Sequence, residues 1–335
     1  MRSKKRWLTG SAVGALALTT MLAGFSTAAV AAKKAKPKPI RIAYISYAVG
    51  NSYDAPMLAA AKAVASASGA QVTVFDGAYN PSTQVAEMQD IISSHNYQGV
   101  LLQPIYGAAE ISQVKKVMAA KIKVVNIDQI LGLKYTTDQI QVKGLSGNVV
   151  FFPSKIGTQL ANLVIKACGT TNPCQIGLVH NITGDEPDSA ITAAINAKLK
   201  SYPNISIVAE GDGTYAVGTS TTVVQGMLQA HPNINFIVGA DQNCEGAQIA
   251  LGTSKSTKLI CYGASAAAIP GLKSGQWVGD VAQMPATEGQ LGMEMLIKAI
   301  RTGKPQGSKN PVAGIPNNGV LTAANIKNFS PEWPG

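Results

Sequence analysis

Three carboxylates, Asp54, Asp128 and Asp241, stand at or just beyond short β-branched runs of the sequence, each with amides or hydroxyls beside it. Around them fall Asn51, Tyr53, Gln103, Gln129, Tyr215, Asn243, Ser265 and Gln283. Carboxylates and amides offer dense in-plane hydrogen-bond partners, and tyrosine rings offer faces to C–H groups. That combination suits a small hydroxylated solute. It does not suit an anion. The segments after the runs hold no lysine or arginine, and beyond residue 40 the arginines are Arg41 and Arg301, at a strand start and a helix end. A phosphate or carboxylate ligand would face three acids without a counter-charge, unless helix N-termini alone held it. The solute should therefore bring donors. A neutral sugar or polyol brings hydroxyls and an amine brings charge as well; dense amides around aromatics favour the neutral ligand.

Each residue has a plainer reading. Asp, Asn and Ser are good helix N-caps, which covers Ser52, Asp185 and Asn243. Capping explains less for Asn51, Asp128, Asp241 and Gln283, because Asp128 and Gln283 end strands. Catalysis would need a nucleophile beside a base, a purposeful carboxylate pair or a metal. His180 ends a strand and is a conceivable base, but a lone histidine there more often serves structure. Gly211-Asp212-Gly213 lacks the further glycine of a dinucleotide fingerprint, and no phosphate-cradling loop appears. The cysteines form no CxxC, and His95, His180 and His231 are scattered. No cofactor, metal or enzymatic activity is expected.

The elements that position these residues repeat one rhythm. Strand patterns at 40–46, 71–76, 99–103, 123–128, 174–180, 205–211, 235–240, 258–262 and 276–283 alternate with helical periods at 55–68, 81–94, 108–120, 150–167, 189–201, 217–230, 245–251, 266–274 and 286–302. Such alternation means βαβ units, parallel sheets and helices on both faces. Nine units exceed one compact sheet, so the expected fold class is α/β with two doubly wound lobes. Function in such sheets sits at the carboxyl ends of the strands, where the polar residues above lie.

Composition agrees. The chain has 335 residues, 46% hydrophobic and 14% charged, enough apolar material for two cores. Its net charge of +10 is misleading: eight basic residues precede Ile40 and all the acids follow it, leaving 20 basic against 18 acidic residues. A near-neutral globule gives no reason to invoke nucleic acid. A basic segment, Arg2–Arg6, precedes an apolar run to Phe25 and the small-residue sequence Ala29-Val30-Ala31, the pattern of a cleavable signal peptide over 1–31. Leu22-Ala23-Gly24-Phe25 has Phe where a lipidated cysteine would stand. Residues 32–39 read as a basic tether carrying two prolines. Export to a periplasmic or extracellular space follows, and four cysteines agree with it. Cys168 at a helix end and Cys174 at the next strand start are expected to pair. Cys244 and Cys261 lie on separate elements and leave a second bond open.

The order and spacing of several segments carry a resemblance. Arg41-Ile42-Ala43-Tyr44-Ile45-Ser46 with Asn51-Ser52-Tyr53, then Val124-Val125-Asn126-Ile127-Asp128, then His231-Pro232-Asn233-Ile234-Asn235-Phe236-Ile237 before Asp241, and Ala282-Gln283-Met284-Pro285 together resemble the type I periplasmic substrate-binding proteins, in the ribose-binding-like branch. The resemblance implies two lobes joined by three crossing strands that close around a ligand, and a receptor serving the membrane permease of an ATP-driven importer as a monomer. It implies a first-lobe amide at Asn51, a stacking aromatic at Tyr53, an amide at Gln103, a carboxylate at Asp128, a second-lobe aromatic at Tyr215, a polar contact at Asp241 and a hinge glutamine at Gln283. Asp54 departs from a common second aromatic, Gln129 from an arginine, and Gly263-Ala264-Ser265 from an Asp-Gly. An arginine is also missing near Ser189. The charge pairs that clamp an ordinary aldose are thus largely absent. Crossings are expected near Leu145–Asn148, Gln283–Pro285 and Pro311–Gly314, with a first lobe of 40–146 plus 284–311 and a second of 147–283 plus 312–335. Lactose-repressor-like regulators share such lobes but begin with a helix-turn-helix, where this chain has the leader. A sensor's ligand-presenting ectodomain shares every feature above.

Overall fold

The structure is a computed structural model that describes residues 39–335; the leader and all but the last residue of the tether lie outside the described residues. The first half of the chain runs β1 (Arg41–Ser46), α1 (Asp54–Ala67), β2 (Gln71–Asp76), α2 (Pro81–Ser94), β3 (Gly99–Leu102), α3 (Gly107–Ala119), β4 (Lys123–Asp128) and β5 (Gly147–Val150). The second runs α4 (Pro153–Cys168), β6 (Cys174–His180), α5 (Glu186–Leu199), β7 (Ile205–Asp212), α6 (Val217–Ala230), β8 (Phe236–Ala240), α7 (Asp241–Leu251), β9 (Lys258–Gly263), α8 (Ala268–Ser274) and β10 (Trp277–Ala282). The chain then returns to the first lobe as α9 (Pro285–Thr302) and β11 (Ser308–Lys309), and crosses again to β12 (Val320–Leu321).

Two six-stranded sheets result, ordered β11-β5-β4-β3-β1-β2 and β12-β10-β9-β8-β6-β7. Every pairing is parallel except that of the edge strand β12 on β10. The period-2 pattern of each strand divides its side chains between two apolar layers. On β1, Ile42 and Tyr44 join the layer under α1 and α9, with Leu101, Ile127 and Met293, whereas Ala43 and Ile45 join Met88, Ile91 and Val117 under α2 and α3. The second sheet repeats this, with Leu160, Ile176 and Ile191 on one face and Val224, Ile237 and Leu272 on the other. In each sheet the order reverses, at β1 and at β6, so the crevices that face ligands open at the carboxyl ends of those strands.

One expected boundary is corrected. Residues 147–150 pair with β4 in the register Val125↔Gly147 to Asp128↔Val150, so they end the first lobe rather than begin the second. The first crossing is therefore at Phe151 and Phe152, not Leu145–Asn148, and the helix expected from Val150 starts at Pro153. The reason is local: a four-residue run, Gly-Asn-Val-Val, buried throughout, is too short for a periodicity that separates strand from helix, and Pro153 supplies the helix start.

Both cysteine pairs are bonded, Cys168–Cys174 with Cα atoms 5.9 Å apart and Cys244–Cys261 with 6.3 Å. The first staples the turn from α4 into β6 and the second ties α7 to β9. Neither pair should alkylate in denatured, unreduced protein, and mass spectrometry after iodoacetamide treatment checks this. Removing either bond should cost about 2–3 kcal/mol, the second slightly more because it closes a longer loop.

Candidate functional site

The carboxyl ends of both sheets face one cleft, lined by side chains from both lobes. Of the residues singled out from sequence, Asn51, Tyr53, Asp54, Gln103, Asp128, Gln129, Tyr215 and Gln283 line it.

The first-lobe floor is built on Gln103, which follows β3. Its Nε2 donates to Asp54 Oδ1 at 2.6 Å and to Asp128 Oδ2 at 2.9 Å, while its Oε1 accepts from the Tyr47 amide at 3.0 Å. Gln84, wholly buried on α2, donates to the carbonyls of Ser46 and Gln103 and so fixes the ends of β1 and β3 together. The two acids are 4% and 2% exposed. Burial raises the Asp128 carboxyl to about 7, against a smaller opposing effect of the Gln103 bond. Burial, and then the neighbouring Asp128 charge, hold Asp54 well above the ordinary carboxylate range. Asp128 Oδ1 and Gln129 Oε1 are buried and have no partner within the protein. They are acceptors waiting for a donor. Asn51 accepts from the Tyr53 amide at 2.8 Å and donates to Tyr79 Oη at 3.0 Å, which holds an aromatic rim: Tyr47 and Tyr79 meet edge-on at 5.5 Å.

The opposite wall comes from the second lobe. Pro187 and Ile191 of α5, Tyr215 after β7, Gln242 of α7 and Tyr262 of β9 line it, and Asn181 Nδ2 donates to the Tyr262 hydroxyl. Phe151 from the first crossing, Gln283 from the second and Trp333 from the C-terminal tail complete the site.

Three expected site residues lie elsewhere. Asp241 is wholly buried behind the cleft, where its carboxylate accepts from the Ser265 amide at 2.6 Å and faces Asp280. Burial, with the Asp241 charge behind it, holds Asp280 well above its ordinary range, and Asp280 accepts from the Ala264 amide at 3.2 Å. That pair braces the turn after β9. Asn243 ties Asn181 Oδ1 at 3.0 Å and Ser220 Oγ at 2.9 Å, and Ser265 Oγ accepts from the Ala268 amide at 3.3 Å. The physical reason is the start of α7. It begins at Asp241 rather than Glu245, so successive side chains point about 100° apart and, of Asp241, Gln242 and Asn243, only Gln242 reaches the cleft. Asp185 precedes α5, yet its side chain makes no cap bond.

Gln242 and Tyr47 were therefore missed within segments that the end-of-strand rule does reach. Phe151 and Trp333 carried no such signal, being placed by a crossing and by the tail. His180 does not line the cleft: its Nδ1 lies 2.9 Å from Asp188 and its Nε2 2.8 Å from Glu210. Those bonds, the one to Asp188 first, outweigh burial and raise it to about 9. A histidine held protonated between two acids is no general base at neutral pH.

These shifts share one sign. Asp128 and Asp185, both raised to about 7 chiefly by burial, favour the fold when protonated, so their contribution is complete below the unfolded value near 4 and is lost as pH rises through 7. The His180 contribution is complete below about 6.5 and lost through 9. The free protein should therefore melt at a higher temperature at pH 5.5 than at pH 8.5. Calorimetric scans without ligand check this, and a melting temperature that rose with pH would contradict the burial of these groups.

Two α/β lobes, three crossings and a polar, aromatic-lined cleft between them define a bilobal receptor. The chain belongs to the periplasmic binding protein domain family, whose sequence model matches residues 42–305. It is 25% identical over 223 residues to a D-allose-binding periplasmic protein of Escherichia coli strain K12, covering 64% of this chain and 69% of that one. It is 22% identical over 287 residues to a D-ribose/D-allose-binding protein of Pseudomonas aeruginosa, covering 84% and 88%. Among solved structures, an ABC transporter solute-binding protein from Burkholderia graminis C4D1M in complex with D-arabinose superposes with a TM-score of 0.75 at 21% identity, covering 88% of this chain and 99% of that one. One from Actinobacillus succinogenes 130z with bound D-allose gives 0.74 at 21% identity, covering 87% and 100%.

Proposed function

We propose that this chain is an exported, non-catalytic receptor that captures a neutral monosaccharide-sized sugar between its lobes and delivers it to the permease of an ATP-driven importer. One observation carries the ligand class. The unpartnered Asp128 Oδ1 stands beside a second buried carboxylate, under aromatic walls, with no lysine or arginine lining the cleft. Hydroxyl donors satisfy that acceptor, and C–H faces match Tyr53, Tyr215 and Trp333. The sugars named for the relatives and the superposed structures support the same chemistry. Among the described residues none that lines the cleft is a lysine or arginine, so an anionic ligand would meet no opposing side-chain cation there. Periplasmic residence is in keeping with the family, and among the described residues no helix is long and apolar enough to cross a membrane. The expected signal peptide and missing lipobox cysteine lie outside the described residues.

Native mass spectrometry of protein purified without refolding, followed by calorimetry with D-allose, D-ribose and D-arabinose, tests this. Binding of at least one sugar is expected; tight binding of a sugar phosphate, or of an amine with no sugar bound, would overturn it. Saturating sugar should also draw the lobes together by rotation at the crossings, seen as a smaller radius of gyration in solution scattering. An unchanged radius would contradict hinge closure.

A further inference from the structure

Beyond β12, the last strand of the second sheet, Ile326 and Phe329 pack into the second lobe and Trp333 reaches the cleft. The family match stops at residue 305, yet the last five residues reach both lobes and the cleft. On the second lobe, the Trp333 and Pro334 carbonyls accept from the amides of Ala266 and Ala267 at 2.9 and 3.0 Å, and Trp333 Nε1 donates to the Gly263 carbonyl at 2.9 Å. On the first lobe, Glu332 meets α9. Its Oε2 accepts from the Thr287 amide at 2.8 Å and its Oε1 from the Thr287 hydroxyl at 2.5 Å.

That second contact fills a gap left by sequence. Helix α9 opens with Met284 at its N-cap, which has no side-chain oxygen to offer, and Pro285 follows. The first-turn amides of a helix have no partner within it, and a carboxylate there also meets the positive end of the helix dipole. Glu332 supplies this cap from 45 residues away in sequence. Because α9 packs on α1 and the first sheet, the cap grips the first lobe, while the neighbouring tryptophan is pinned to the second. Trp333 also meets Tyr53 edge-on at 5.3 Å and lines the cleft.

We propose that residues 331–335 form a strap across the hinge, in which Glu332 caps α9 of the first lobe while Trp333, anchored to the turn after β9, forms part of the ligand wall. The strap is a fourth, non-covalent connection beside the Gln283–Met284 crossing. It couples the angle between the lobes to the position of a ligand-contacting ring.

Hydrogen exchange on the ligand-free full chain tests the strap without depending on the sugar. The Thr287 amide should exchange at least tenfold faster in Glu332→Ala than in the wild type. It should exchange at an intermediate rate in Glu332→Gln, which keeps an acceptor but loses the charge. In both variants the Ala266 and Ala267 amides should stay protected, since their acceptors are backbone carbonyls; in Trp333→Phe those two should loosen instead. An unchanged Thr287 rate in Glu332→Ala, or unchanged Ala266 and Ala267 rates in Trp333→Phe, would overturn the strap. A second arm rests on the proposed sugar reading: Glu332→Ala should bind sugar about tenfold more weakly, and adding Thr287→Ala should cost little more. Failure of the wild type to bind any sugar would overturn that reading and leave the exchange arm to decide the strap. Wild-type affinity in Glu332→Ala would overturn the coupling.

Discussion

Replacing Asp128 by asparagine should weaken sugar binding about 10- to 100-fold while leaving the free protein at least as stable as before. The two effects have opposite origins. In the free receptor Asp128 is a buried acid beside a second one, Asp54, and both lean on a single amide, Gln103 Nε2. Asparagine can keep the Gln103 bond through its own oxygen and removes a negative charge from that pair, so the empty site loses nothing it needs. In the complex, the atom in the place of Oδ1 becomes an N–H donor facing ligand donors. A hydrogen bond to a charged acceptor contributes about 1.5–3 kcal/mol, which is roughly the affinity change given. Calorimetric titration and thermal unfolding of the same preparation separate the two. Unchanged affinity would remove Asp128 from the ligand site, and a large loss of stability would make it a structural residue.

Gly289→Ala should destabilise the fold by about 2–3 kcal/mol, although alanine is the better helix former by about 1 kcal/mol. Sterics decide the sign. Helix α9 lies so close to α1 that a Cβ at position 289 would sit 2.0 Å from the Met57 carbonyl oxygen and 2.8 Å from its carbon. Both are backbone atoms, so no rotamer change relieves the clash and α9 must move. Gly226, exposed on α6, has nothing within 4 Å of the same atom. Gly226→Ala should therefore stabilise by about 0.5–1 kcal/mol. Urea titrations of the two variants give changes of opposite sign if this is right; equal and small changes would show that α9 yields at no cost. Since α9 also carries the Thr287 end of the strap, Gly289→Ala should additionally loosen the Thr287 amide.

The alternation of strands and helices was legible from the chain alone, because periods of 2 and 3.6 are local properties of a dozen residues. Expected and observed elements agree closely where a strand is flanked by turn residues, as at 71–76 and 81–94, or at 217–230. They part at β5, where a short buried run has no period to read. The first-lobe site was legible for the same reason: Asn51, Asp54, Gln103 and Asp128 end or follow strands of one parallel sheet, and a parallel sheet delivers such residues to one edge. Bare position after a strand could not say which residue of Asp241, Gln242 and Asn243 faces the cleft. That depends on the phase of a helix, and one residue's shift in its start turns the side chains by about 100°. Nor could local sequence place Phe151, Gln84 or Trp333, whose partners lie far along the chain. By itself the sequence determined the element rhythm, the two-lobed α/β class and the chemical types gathered at the strand ends, all set by short-range pattern and chain chemistry. Only the tertiary structure decided that Asp54 and Asp128 share one amide, that Asp241 withdraws behind the wall to face Asp280, and that the last residues cap a helix of the other lobe. Those pairings join residues separated by dozens of positions, and packing of whole elements, rather than any local preference, brings them within hydrogen-bond distance.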